Sequence, residues 1–210
     1  MELIAKQVAE KLLQIKAIKL EPTNHFVWAS GWNSPIYCDN RKTLSYPDVR
    51  DYIRDSFIEV IKANFGEYDY IAGVATGAIA QGALVSDKLR KPFVYVRSQA
   101  KDHGLGNLIE GELPKGSKVL VIEDLISTGG SSLKAVEAIR EAGCEVVGMA
   151  AIFTYGFQKS VDAFKNANVK LVTLSNYNVL IEHAKEIGYI TENDISVLKE
   201  WRISPETWKK

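Results

Sequence analysis

Cysteine is nearly absent: the 210-residue chain has 2, Cys38 and Cys144, far apart and in no C-x-x-C pair. That excludes a disulfide framework and a cysteine-built zinc site, and it points to a reduced, cytoplasmic chain. Long apolar runs are also missing. No segment approaches the ~20 residues of a membrane span. The opening MELIAKQVAEKLLQIKAIKL alternates apolar and charged residues and lacks the unbroken apolar centre of a signal peptide. Excess charge of either sign is missing, with 26 Lys+Arg against 26 Asp+Glu. A dedicated binder of nucleic acid or of an anionic membrane would carry a basic surplus. There is no internal repeat, no HExxH, no Cys/His cluster and no G-x-S-x-G, which disfavours zinc hydrolases and α/β-hydrolases. His25 and His183 have no metal-ligand spacing and read as structural. What remains is an ordinary globular composition, one domain long with room for a subdomain. A chain of this size buries about 70% of its unfolded surface and needs no covalent staple.

The apolar pattern divides the chain. Leu3, Val8, Leu12, Leu13 and Ile15 form a helical stripe. Residues 26–48, rich in aromatics and turn formers, read as short strands and turns. Tyr46-Pro47-Asp48 opens a long amphipathic helix with Val49, Tyr52, Ile53, Phe57, Val60 and Ile61 on one face. From Tyr68 the pattern changes to short, wholly apolar runs: DYIAGVA, FVYVR, KVLVIED, EVVGMAAIF and VKLVTLS. Helical segments separate most of them; Pro92 is expected to stop one helix and Gly143 another. Such alternation predicts an α/β fold with a doubly wound, mostly parallel sheet buried on both faces. The expected division is a core at 67–175, an N-terminal helix and hood segment at 1–66, and a helical segment at 176–210 completing the cap. Ligands of such sheets sit outside the carboxyl ends of the strands.

One strand end carries the strongest local signal. The run 119–126 emerges into Glu123 and Asp124, passes Leu125 and Ile126, and enters a Ser127-Thr128-Gly129-Gly130-Ser131 turn that starts a helix. Hydroxyls, close-approaching glycine backbone and the unpaired N–H groups of a new helix suit a phosphate. The two carboxylates suit what accompanies a ribose phosphate, since they accept hydrogen bonds from vicinal hydroxyls or magnesium-bound water. No Walker Gly-Lys-Ser/Thr and no G-x-G-x-x-G occurs. A second signal is the non-periodic stretch 97–112, with Arg97, Lys101, Asp102, His103 and Glu110 among glycines. Cations on a long, hinged loop predict a lid over an anion. Thr76-Gly77, closing the first core strand, offers backbone N–H groups that could hold pyrophosphate or merely make a tight turn.

The string ValLeuValIleGluAspLeuIleSerThrGlyGlySer resembles the 5-phosphoribosyl 1-diphosphate (PRPP) motif of type I phosphoribosyltransferases. Residues 30–41 (SGWNSPIYCDNR), 71–77, 97–107 (RSQAKDHGLGN) and 173–177 extend the likeness, in order, to the orotate phosphoribosyltransferase family. The resemblance implies transfer of ribose 5-phosphate from PRPP to orotate, with magnesium carried mainly by PRPP and no direct protein metal ligand. It assigns the 5′-phosphate to the 127–131 turn and the ribose hydroxyls to Glu123 and Asp124, with Asp124 also managing a proton. The leaving pyrophosphate falls to Arg97, Lys101 and His103. Orotate falls to Ser127, Tyr37 and Cys38, with Tyr37 able to stack. The resemblance also implies a homodimer in which the 97–112 loop serves the neighbouring subunit. The chain departs from many members at Ser98, where a Lys follows the Arg, and at Ala29, where a Lys precedes Ser-Gly. It departs again at Thr154-Tyr155-Gly156, where some place an Arg for orotate. Two other readings stay open from sequence: a purine-specific transferase of the same fold, and a non-catalytic PRPP sensor that binds nucleic acid.

Overall fold

The structure, a computed structural model, describes residues 2–99 and 108–209. Helix α1 (Glu2–Gln14) buries Ile4, Val8, Ala9, Leu12 and Leu13. The expected stripe began one residue earlier, but Leu3 is 68% exposed. Ile4, Val8 and Leu12 share a face, and Leu3 points about 100° away from Ile4. Four short strands follow: β1 (Ile18–Leu20), β2 (Phe26–Val27), β3 (Asn33–Ser34) and β4 (Ile36–Cys38). β1 pairs antiparallel with β4, and β2 with β3. A 3-10 helix over Asn40–Ser45 comes next, within the stretch read as strands and turns. Helix α2 (Pro47–Asn64) starts on Pro47, whose missing N–H is no loss in a first turn. Of its expected face, Val49, Ile53, Phe57, Val60 and Ile61 are buried and Tyr52 is half-buried.

The central sheet has six strands: β5 (Tyr70–Val74), β6 (Phe93–Val96), β7 (Ile109–Glu110), β8 (Lys118–Ile126), β9 (Glu145–Thr154) and β10 (Leu171–Asn176). Their order is β10-β9-β8-β5-β6-β7. The five long strands run parallel, and only the two-residue β7 is antiparallel, at the edge. Helix α3 (Ile79–Leu89) ends on Arg90 in the left-handed region, so it stops ahead of Pro92. Helix α4 (Gly130–Glu141) stops as expected, with Gly143 at φ +80°. The remaining helices are α5 (Gln158–Asn166), α6 (Tyr177–Glu186) and α7 (Glu192–Ile203).

Alternation along each strand feeds two cores. Ile71, Leu120, Ile122 and Ile152 pack against α1, α2, α3 and the C-terminal helices. Val94, Val119, Val121 and Met149 pack against α4 and Phe164 of α5. Above the end of β9 an aromatic cluster joins Trp28, Phe153, Tyr155, Phe157, Tyr177 and Trp201. The indole N–H of Trp201 donates to the Asn33 carbonyl at 3.1 Å, and that of Trp28 to Ile36 at 3.0 Å. The first bond ties the β2–β4 region to the C-terminal part of the chain, and the second braces that region internally. Among the described residues no helix is long and apolar enough to cross a membrane.

The sheet changes direction at β5. The chain moves from β5 outward to β6, then returns across β5 to lay down β8 on the other side. A crevice must therefore open between the carboxyl ends of β5 and β8.

Candidate active site at the β5–β8 crevice

A cavity of about 320 Å³ occupies that crevice. Val74, Ala75, Thr76 and Gly77 line it from β5; Glu123, Asp124, Leu125 and Ser131 line it from β8 and α4. Cys38, Asp39 and Arg41 close it from above.

The two acids at the end of β8 have different surroundings because successive strand residues face opposite ways. Glu123 is 4% exposed and points toward α4. One of its carboxyl oxygens accepts from the Ser132 hydroxyl at 2.7 Å, the other from the Asp124 backbone N–H at 2.9 Å. Burial first, and the neighbouring Asp124 charge second, push its pKa well above the usual carboxylate range. Asp124 turns to the other face, toward Gly77 and the 3-10 helix. Its backbone carbonyl accepts from Asn40 Nδ2 at 2.6 Å. A Cβ built on Gly77 would overlap the Asp124 carboxylate, while the Gly77 backbone lies outside the left-handed region. A Gly77→Ala protein is therefore expected to fold normally and to lose about 10–100-fold in kcat/KM, because the carboxylate must shift. Thermal unfolding and steady-state kinetics on the same preparation check this.

The turn after β8 is built for close approach. Gly129 has φ +84° and lies over Phe164, so only glycine fits there comfortably. Gly130 is exposed, and nothing stands within 4 Å of a Cβ placed on it. The α4 N-terminus carries no side-chain cap, which leaves first-turn N–H groups and the positive end of the helix free to meet an anion. Ser127 and Thr128 are half-buried in the turn, and Ile126 is buried in the strand.

Above the crevice, Cys38 Sγ donates to Asn40 Oδ1 at 3.4 Å. Burial, then the charges of Asp124 and Asp39, raise the thiol's pKa well above its usual value, so Cys38 is no ready nucleophile. Tyr37 is partly exposed and leans on Phe26, ring centroids 5.6 Å apart. Asn40, 2% exposed, anchors a relay: its carbonyl accepts from Thr43 Oγ1 at 2.6 Å, and Thr43 accepts from Gln81 Nε2 at 3.2 Å. Removing the amide in Asn40→Ala leaves the Asp124 carbonyl without this donor. It is expected to cost about 1–3 kcal/mol of stability and to lower kcat more than it raises either KM.

The structure brings Thr76, Gly77, Cys38, Glu123, Asp124, Leu125 and Ser131 to one cavity. Thr128 lines a different cavity of about 290 Å³ with Trp32, Phe157 and Arg202. Arg97 lines an adjoining one with Ala75 and Thr76 and pairs with Glu110 at 3.4 Å. Lys101 and His103 lie outside the described residues. Sequence reasoning missed Asp39, Asn40 and Arg41, although they stand within the quoted 30–41 segment. It also missed Arg202, whose guanidinium donates to the Tyr155 and Gly156 carbonyls at 2.9 and 2.8 Å. Among the described residues no group of three or more His, Cys, Asp or Glu could hold a metal ion.

A parallel sheet with an acidic strand end and a glycine-rich, uncapped helix start at its switch point suits a phosphorylated sugar ligand, as the resemblance to type I phosphoribosyltransferases implies. The family profile described as phosphoribosyl transferase domain matches residues 44–182. Comparison with individual proteins narrows this. The chain is 62% identical over 209 residues to the orotate phosphoribosyltransferase of Phocaeicola vulgatus, covering 100% of this chain and 99% of that one. It is 61% identical over 207 residues to that of Listeria innocua, covering 99% of each. The solved orotate phosphoribosyltransferase of Aeropyrum pernix superposes with a TM-score of 0.75 at 28% identity, over 88% of this chain and 99% of that one. The chain belongs to the orotate phosphoribosyltransferase family.

Proposed function

We propose that the β5–β8 crevice is where this chain transfers the ribosyl 5-phosphate of PRPP to orotate, yielding orotidine 5′-monophosphate and pyrophosphate for UMP biosynthesis. The observation that carries the reading is the meeting of Asp124, the Thr76-Gly77 turn and the uncapped α4 N-terminus at one cavity.

The chemistry needs no protein nucleophile. The bond between ribose C1 and the pyrophosphate oxygen breaks, and its electron pair leaves with pyrophosphate. Orotate N1 forms the new bond to C1 from the opposite face and gives up its proton, which Asp124 accepts. The protein supplies position and charge. The Ser127–Ser131 turn holds the 5′-phosphate on backbone N–H groups. Asp124 and Glu123 meet the ribose hydroxyls; Asp124 faces the cavity directly, while Glu123 braces the strand end through Ser132 and the Asp124 N–H. Backbone N–H groups at Thr76-Gly77 hold pyrophosphate. Ser127, Tyr37 and Cys38 border the orotate. Asp124 and Asp39 are hard oxygen donors on one cavity, which suits magnesium bridged mainly through PRPP and water. When bound there, magnesium neutralises charge on the pyrophosphate. Segments 1–66 and 176–210 form the hood over the core at 67–175. The protein works as a cytoplasmic homodimer in which Arg97, Lys101 and His103 of each 97–112 loop close over the neighbouring site and exclude water from the cationic sugar.

The test is stoichiometric. With PRPP and magnesium, each orotate consumed should release one pyrophosphate, and a magnesium chelator should stop both. Pyrophosphate release independent of orotate would contradict the reading.

A further inference from the structure

Arg41 has no assigned role, yet it is the one cation among the described residues that line the crevice. The remaining charge there is negative. Asp39, Glu123 and Asp124 are all on the lining. PRPP brings several more negative charges into the same space. Arg97 of the same chain lines the adjoining cavity with Ala75 and Thr76 and pairs there with Glu110, so Arg41 is the positive group on the crevice itself.

Arg41 is placed to do so. It follows the buried Asn40, whose amide bond to the Asp124 carbonyl fixes the 3-10 helix against the end of β8. Its guanidinium is held by Asp39 through a 2.7 Å bond from Nε to Oδ1. That contact uses one donor of a five-donor fork. The side chain is 61% exposed, so it can swing without unpacking anything, and an ion pair open to water on its arginine side is weak. The Thr76-Gly77 turn lines the same cavity.

We propose that Arg41 anchors the pyrophosphate of PRPP within its own subunit, exchanging Asp39 for phosphate oxygens when the substrate enters. The inference rests on the reading of the crevice as the PRPP site. A phosphate takes the guanidinium fork in paired, charge-assisted bonds, which a lysine at the same place could not reproduce.

The experiment uses the full-length protein and the variants Arg41→Gln and Arg41→Lys, assayed in both directions. Arg41→Gln is expected to raise the KM for PRPP, and for pyrophosphate in the reverse reaction, by about 10–100-fold. The KM values for orotate and orotidine 5′-monophosphate should move less than about threefold. Arg41→Lys should recover only part of the loss. If the orotate and orotidine 5′-monophosphate constants rise instead, Arg41 serves the carboxylate of the base and the proposal is overturned. Unchanged constants overturn it too. Calorimetric titration of the same proteins with magnesium pyrophosphate gives a readout free of turnover. Weaker binding to Arg41→Gln supports the anchor even should orotate prove the wrong base, in which case only the choice of acceptor is at fault. Equal binding, or none to the wild type, overturns it.

Discussion

Asp124→Asn is expected to fold like the wild type and to lose turnover by about 10²-fold or more, the range for a positioned group that handles a proton or substrate hydroxyls. The substitution keeps the shape of the side chain and removes its negative charge. The backbone bond from Asn40 is untouched, since it ends on the Asp124 carbonyl and not on the carboxylate. Steady-state kinetics with a parallel unfolding curve separates the outcomes. A variant that keeps wild-type turnover would show that the acidic strand end is not the catalytic locus. A variant that also unfolds early would show that the carboxylate is structural. Glu123 offers the contrast. It is buried and doubly hydrogen-bonded, so Glu123→Gln should disturb the strand end itself and cost stability along with activity.

The second large effect concerns assembly. Lys101→Ala and Asp124→Asn homodimers should each be nearly dead. In a heterodimer of the two, the subunit with intact Asp124 receives the intact loop of its partner, while the other site collects both defects. Co-expression with two affinity tags and purification of the doubly tagged species should therefore restore activity at one site per dimer. A loop that serves its own subunit leaves one defect in every site and restores nothing. The recovery is qualitative, from background to about half of wild type per dimer, so modest errors in subunit exchange cannot imitate it.

What was legible in the sequence follows from how local each feature is. The five parallel strands announce themselves as unbroken apolar runs, because both faces of such a strand are buried. The Gly129 turn is legible for a related reason: its left-handed backbone and its closeness to Phe164 demand glycine. Features that depend on distant partners left little local trace. Asn40 looks like one more turn residue, and only its bond to a residue 84 positions away shows what it holds. The two-residue β7 is too short for any period, and it forms because its backbone completes the edge of β6. Tyr155 lies in the Thr154-Tyr155-Gly156 stretch, where the family resemblance leads one to expect an arginine. In the fold it is a buried member of the aromatic cluster with Trp28 and Trp201. The cation near that strand end comes instead from Arg202 on α7, 47 positions along the chain. The end of α3 is legible to within a residue: Pro92 bars the helix from running on, and Arg90 makes the stop itself by turning into the left-handed region.

The choice of acceptor base is the most direct test of the whole account. Purified protein, PRPP and magnesium should be incubated in parallel with orotate, uracil, adenine and hypoxanthine while the ultraviolet absorbance of each base is followed. Rapid loss of orotate absorbance with formation of orotidine 5′-monophosphate, and no comparable change for the other bases, is the predicted result. Turnover of a purine in preference to orotate, or of no base at all, would contradict it.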